Sequence, residues 1–160
     1  MTKIAVFPGS FDPITVGHVD IVNRAIPLFD KIIIAVGINT QKQYLYSLEG
    51  RIAWLKEVFK NEPKIEIESY QGLTINFCKL KKAQYILRGI RSAADFEYEK
   101  TIAHLNHAMN EDLETILILS KPELSSISST IVREIIKGHG DVSKFVPKEI
   151  IASLNETEIK

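Results

Sequence analysis

The stretch Ile4-Ala5-Val6-Phe7-Pro8-Gly9-Ser10-Phe11-Asp12-Pro13-Ile14-Thr15-Val16-Gly17-His18 decides the fold. Its first four residues are a short run, apolar on both faces, which reads as a buried parallel strand. Pro8 and Gly9 end that run. The turn that follows leads through Gly17-His18 into Val22, Ala25 and Phe29, apolar at helical spacing. Strand, turn and helix in that order open a βαβ unit, and Pro27 predicts a break in the helix near Ile26.

Outward from this unit the alternation repeats. Residues 32–36, 85–87 and 116–119 are further short β-branched runs that read as buried parallel strands, whereas Ile65-Glu66-Ile67-Glu68 alternates as a strand nearer a sheet edge does. Between them, helical spacing appears at Leu48, Ile52, Leu55 and Phe59, at Phe77 and Leu80, and at Phe96, Ile102, Ala103 and Met109. Residues 131–137 and 148–154 supply the last two helices, the second starting after Pro147. The pattern predicts an α/β, doubly wound, Rossmann-like five-stranded parallel sheet of order 3-2-1-4-5 with right-handed crossovers. No repeat, low-complexity stretch or linker divides the chain, so residues 1–160 are expected to form one domain.

Composition excludes several classes. Lys+Arg and Asp+Glu both number 20, so no overall field favours nucleic acid or an anionic membrane, and any anion site must be built locally. Cys78, the one cysteine, excludes an internal disulfide and a cysteine-rich zinc site, and beside Phe77 it reads as a small buried hydrophobe. No apolar run reaches transmembrane length, and a soluble cytoplasmic protein is expected. His104 and His107, three apart, read as an ordinary helix or subunit face, and no metal site is expected.

In such a sheet the ligand crevice lies at the carboxyl ends of strands 1 and 4, where the strand order reverses. The strand-1 turn lacks G-x-G-x-x-G and G-x-x-x-x-G-K-[ST], so neither dinucleotide binding nor P-loop hydrolysis is supported. Gly17 lets a bound group approach the backbone, and His18 stands at a helix start, where free amides attract anions. Across the crevice, Arg88-Gly89-Ile90-Arg91 brings two guanidinium forks suited to phosphate. After strand 5, Leu124-Ser125-Ser126-Ile127-Ser128-Ser129-Thr130 runs into a helix start with more hydroxyls than one cap needs.

Together, Pro8-Gly9-Ser10-Phe11-Asp12-Pro13-Ile14-Thr15 with Gly17-His18, Arg88-Gly89-Ile90-Arg91, Asp95-Phe96-Glu97-Tyr98-Glu99 and Ile127-Ser128-Ser129-Thr130 resemble the bacterial phosphopantetheine adenylyltransferases of the nucleotidyltransferase superfamily. The resemblance spans nearly the whole chain. It implies transfer of AMP from ATP to 4'-phosphopantetheine, giving dephospho-coenzyme A and pyrophosphate. It also implies Mg²⁺ carried by the ATP phosphates, coenzyme A as a feedback ligand, and a homohexamer.

By the same resemblance, the catalytic residues are His18, Lys42, Ser10 and Arg91, with His18 stabilising charge on the α-phosphate rather than acting as a base. Ser10, Lys42, Thr74 and Arg88 fall at acceptor contacts. Ser10, Phe11, His18, Gly89, Ile90, Arg91, Glu99, Leu124, Ser125, Ser126, Ile127, Ser128, Ser129 and Thr130 fall at ATP contacts, the last stretch largely through its backbone. An incoming phosphate monoester is already ionised near neutral pH, so the reaction needs charge neutralisation and alignment more than a base.

This chain departs from the pattern at four places. Ser10 stands where threonine is common, Gln43-Tyr44 where lysine and proline are, Thr74 at a commonly apolar position, and Leu124 where some members have tryptophan. The loop carrying Lys42 is therefore expected to be more mobile. Two other readings compete: a sibling nucleotidyltransferase acting on nicotinate or nicotinamide mononucleotide, or on glycerol phosphate with CTP, and a nucleotide sensor without turnover.

Overall fold

The computed structural model describes residues 1–156. Five parallel strands, β1 (Ile4–Gly9), β2 (Lys31–Ile38), β3 (Ile65–Gln71), β4 (Tyr85–Ile90) and β5 (Glu114–Leu119), form one sheet in the order β3-β2-β1-β4-β5, as the alternation predicts. The helices are α1 (Val16–Ala25), α2 (Leu48–Val58), α3 (Thr74–Leu80), α4 (Ala93–Met109), α5 (Ser129–Lys137) and α6 (Ile151–Glu156). The helix break falls where Pro27 places it: α1 ends at Ala25 and a 3-10 turn, Ile26–Leu28, follows. A second 3-10 turn, Lys148–Ile150, precedes α6, with Pro147 as its cap.

Side-chain alternation along the strands divides the core into two layers. Ala5, Phe7, Ile32, Ile34 and Leu87 join Val22, Leu55, Val132 and Ile150 on the face of α1, α2 and α5. Val6, Ile33 and Ile86 join Ile75, Phe77 and Cys78 on the opposite face, under α3. Cys78 is fully buried, and desolvation pushes its thiol up to about 11, which suits an inert packing role.

Two expectations need correction. Residues 116–119 read as a strand buried on both faces, but β5, at the edge that the order 3-2-1-4-5 gives it, is only half-buried in its middle and Leu119 is 70% exposed. A short apolar run has the same period whether its strand is covered on both faces or only partly, so it does not show how much of an edge strand is covered. Similarly, Phe96, Ile102 and Met109 mark an apolar stripe on α4, but all three are exposed and the buried residue of that helix is Glu99. That buried residue is paired with Arg88 of β4.

Candidate active site

β1 and β4 lie side by side at the reversal of strand order, and their ladder pairs Ala5 with Tyr85 and Val6 with Ile86. Further along, their carboxyl ends splay. There Arg88 Nη1 donates to the Pro8 carbonyl at 2.8 Å, supplying a partner that a neighbouring strand would otherwise provide. The other nitrogens of the fork bind Glu99 of α4, Nε to Oε2 at 2.9 Å and Nη2 to Oε1 at 2.6 Å. Glu99, 7% exposed, is thus the buried half of a bidentate pair that fixes Arg88 in the crevice. Arg88 shares its face of β4 with Ile86, whereas Gly89 faces α1, where a Cβ would come within 3.2 Å of Ile21.

Two cavities meet at this pair. The first, about 460 Å³, is lined by Ser10, Lys42, Thr74, Arg88 and Glu99 together with Asn39, Tyr70, Tyr98, Ile102 and Asn106. The second, about 280 Å³, is lined by Thr15, Gly17, His18, Arg88, Gly89, Arg91 and Glu99, and by Leu124, Ile127, Ser128, Ser129 and Thr130. Pro8, Gly9, Arg88 and Glu99 belong to both.

In the second cavity, α1 begins with a reciprocal cap. Thr15 accepts from the His18 amide, while His18 Nδ1 accepts from the Thr15 amide at 3.0 Å. An acceptor Nδ1 leaves the ring proton on Nε2, so the neutral imidazole is a hydrogen-bond donor on its free edge. Burial first, then the positive charges of Arg88 and Arg91, lower its pKa from 6.5 to about 4. The ring is wedged against Phe11, centroids 5.1 Å apart, and Phe7 at 6.3 Å. A donor held neutral this way can stabilise growing charge without first taking a proton.

Arg91 is aimed by Asp95, which accepts from its Nε at 3.0 Å and from its amide. Desolvation opposes ionisation of Asp95, but the hydrogen bonds from Arg91 prevail and hold its carboxyl below the usual range. Gly17 sits close to the start of α5: a Cβ there would lie 3.9 Å from the Ile127 carbonyl.

The hydroxyl-rich turn is mostly committed to the fold, which corrects the reading of its serines as a surplus. Ser128 caps α5 by accepting from the Ile131 amide, Ser129 donates to the Pro13 carbonyl at 2.7 Å, and Ser125 donates to the Pro122 carbonyl. Thr130 accepts from Arg133, whose Nη1 also reaches the Asp12 carbonyl. Ser128, Ser129 and Thr130 line the cavity, and the first amides of a helix lack intrahelical partners, so the backbone is what this turn can offer an anion.

The structure thus gathers His18, Gly89, Arg91, Leu124, Ile127, Ser128, Ser129 and Thr130 around one cavity, Ser10, Lys42 and Thr74 around the other, and Arg88 with Glu99 between them. Ser125 and Ser126 are not among the lining residues. Phe11 and Ile90, buried at 2% and 4%, line neither cavity. Thr74 is tied by its hydroxyl to that of Tyr70 at 2.8 Å. The loop expected to be mobile is instead braced, because Tyr44 binds the Gly37 carbonyl and the Asn39 amide through its hydroxyl.

Sequence reasoning missed Asp12, Arg51 and Arg133, which knit the turns together, and Tyr70 and Asn106 on the wall of the first cavity. Among the described residues, no group of three or more His, Cys, Asp or Glu could hold a metal ion, and no helix is long and apolar enough to cross a membrane.

The cytidylyltransferase-like family model matches residues 6–135. Phosphopantetheine adenylyltransferase of Flavobacterium psychrophilum is 53% identical over 91% of this chain and 96% of its own length. That of Nautilia profundicola is 43% identical over 94% and 97%. A crystal structure from Vibrio parahaemolyticus, described as a "Putative Nicotinate-nucleotide Adenylyltransferase", shares the fold with a TM-score of 0.69 at 16% identity, covering 97% of this chain and 99% of that one. The chain belongs to the cytidylyltransferase-like family and, within it, to the phosphopantetheine adenylyltransferases.

Proposed function

We propose that this enzyme transfers AMP from ATP to 4'-phosphopantetheine, giving dephospho-coenzyme A and pyrophosphate in coenzyme A biosynthesis. The observation that carries the reading is the pair of cavities sharing Pro8, Gly9, Arg88 and Glu99, each rimmed by its own anion-binding groups. Two anionic substrates can lie in them with their reacting phosphates at the shared wall.

A phosphate oxygen of the acceptor attacks the α-phosphorus of ATP. The new phosphorus–oxygen bond forms as the bond to the β-phosphate oxygen breaks, and pyrophosphate leaves. Ser10 and Lys42 hold the attacking phosphate, Arg88 and Thr74 serve the acceptor side, and Arg91 and the start of α5 hold the nucleotide. His18 donates from Nε2 to the α-phosphate as its charge grows. Positioning and electrostatics carry such a reaction.

Mg²⁺ bound with ATP would neutralise part of the charge on its phosphates. Glu99 and Asp95, the acidic groups of the cavity, are already engaged by Arg88 and Arg91, which fits a cation bound mainly by the nucleotide rather than a protein cage. We further assign coenzyme A as a feedback ligand, a cytoplasmic location, one domain over residues 1–160, and assembly as a homohexamer that would cover the exposed apolar residues of α4 and Leu119.

Pyrophosphate release in the presence of ATP and Mg²⁺ should require 4'-phosphopantetheine. Turnover with nicotinate mononucleotide, or with glycerol phosphate and CTP, in place of it would overturn the assignment. Tight ATP binding without turnover would make the chain a sensor.

A further inference from the structure

Lys42 lies on the exposed loop that follows β2, and a long side chain on a loop is only as well placed as the backbone beneath it. That backbone is a tight turn: Asn39 Oδ1 accepts from the Gln41 amide at 2.9 Å, and the Lys42 amide donates to the Asn39 carbonyl at 3.1 Å. The turn is anchored through Tyr44. Its hydroxyl accepts from the Asn39 amide at 3.1 Å and donates to the Gly37 carbonyl at 3.3 Å, bridging the end of β2 and the turn.

The ring of Tyr44 carries the connection onward. Arg51 of α2, 3% exposed, places its guanidinium 4.1 Å from the centre of that ring. The same guanidinium donates from Nη1 to the Ser10 carbonyl at 2.7 Å and from Nε to the Tyr46 carbonyl at 3.2 Å. Asp12, two residues beyond Ser10, accepts from the amides of Leu45 and Tyr46 at 2.8 and 2.9 Å. Both turns extend past the last paired residues of their strands, so the sheet ladder does not set their separation. Tyr44, Arg51 and Asp12 do.

We infer that Tyr44 is a positioning residue for phosphoryl attack: stacked against Arg51, it locks the turn bearing Lys42 to the turn bearing Ser10, so that both meet the acceptor phosphate in one fixed geometry. The inference rests on the reading that Lys42 and Ser10 contact that phosphate. Tyr44 takes the place of a proline common in the resembling sequences and stiffens the loop by hydrogen bonding and stacking instead of by a fixed φ. It acts through Lys42 and does not itself touch the reacting atoms.

The test is a double-mutant cycle with Tyr44→Phe and Lys42→Ala, read as kcat and both KM values with ATP, Mg²⁺ and 4'-phosphopantetheine, alongside Tm. Tyr44→Phe keeps the ring on Arg51 and removes only the bridging hydroxyl, so the fold should survive. It should lower kcat by about five- to tenfold, the loss expected from a hydrogen bond that matters in the transition state, and leave the ATP KM unchanged. In the Lys42→Ala background the same change should alter kcat by less than about twofold, because the group being positioned is gone. A wild-type kcat for Tyr44→Phe, or losses that multiply in the double variant, would overturn the inference while leaving the transfer reading intact. A wild-type kcat for Lys42→Ala would instead remove the role of Lys42 and the inference together.

Discussion

The two halves of the crevice are built on different plans. The half we assign to the nucleotide is made of turns and helix starts: the Thr15–His18 cap, the Arg91–Asp95 pair and the first residues of α5 each lie within a few positions of one another in the chain. The half we assign to the acceptor draws on four distant elements, with Ser10 after β1, Lys42 after β2, Thr74 opening α3, and Tyr98, Ile102 and Asn106 on α4. The first presents backbone and fixed charge, which suit phosphates held alike in every nucleotide. The second presents side chains, so its shape can be matched to one acceptor. Arg88 and Glu99 join the halves, and substitutions should divide into those that stop chemistry and those that weaken one ligand.

The largest effect is expected at His18. In the proposed role, His18→Ala would remove a donor whose contact strengthens as charge grows on the α-phosphate, so kcat should fall by about 10²–10³-fold with a modest change in ATP KM. Steady-state kinetics check this, and a loss confined to ATP KM would make His18 a binding group only. Next comes the junction. Arg88→Ala should raise the acceptor KM by about thirtyfold, the range of a lost charge-assisted bond, with a smaller effect on ATP. It also leaves Glu99 buried without its partner, which should lower Tm. Glu99→Gln, which frees Arg88 without removing it, should raise the acceptor KM less. Equal effects on both substrates would erase the distinction between the halves.

His18 also gives the comparison a pH signature. It binds a proton near pH 6.5 in the unfolded chain but only near pH 4 in the folded one, so between those values the unfolded state holds more protons. Its contribution to stability is present above about pH 6.5 and is lost as pH falls through about 4. Tm measured across that window should fall more steeply for the wild type than for His18→Ala. Parallel curves would mean the imidazole is not held neutral.

The contrast between the halves also explains what could be read in advance. The positions of Gly17-His18 and Arg88-Gly89-Ile90-Arg91 at the crevice were legible because each is a local run at a strand end, and the serine turn was placed there too, although its hydroxyls proved to serve the fold. Strand order followed from the βαβ alternation for the same reason. Glu99 as the partner of Arg88 was not legible as such, since on a helix with Phe96, Ile102 and Met109 the apolar stripe suggests the buried face. Nor were Arg51 and Arg133, whose partners are the carbonyls of Ser10 and Asp12 far away in sequence. Contacts to backbone leave no residue-type signature at the accepting position. Tyr44 was noticed only as a departure, and its bracing role depends on a ring–guanidinium stack that no spacing rule reveals.

The smallest effect tests the claim that the nucleotide half works through backbone and charge. Leu124 lines that cavity where some resembling sequences have tryptophan, and its aliphatic side chain cannot stack on a base as an aromatic ring does. Leu124→Trp adds such a surface without altering His18, Arg91 or the start of α5. If phosphate contacts dominate, the ring adds only a little: ATP KM should fall by about two- to fivefold and kcat should stay the same, because stacking on adenine is equal in the ground and transition states. Kinetics with ATP varied at saturating acceptor would show it. A change in kcat would mean that adenine placement steers the α-phosphate, and a fall in KM of two orders or more would mean that side-chain recognition governs this half as well.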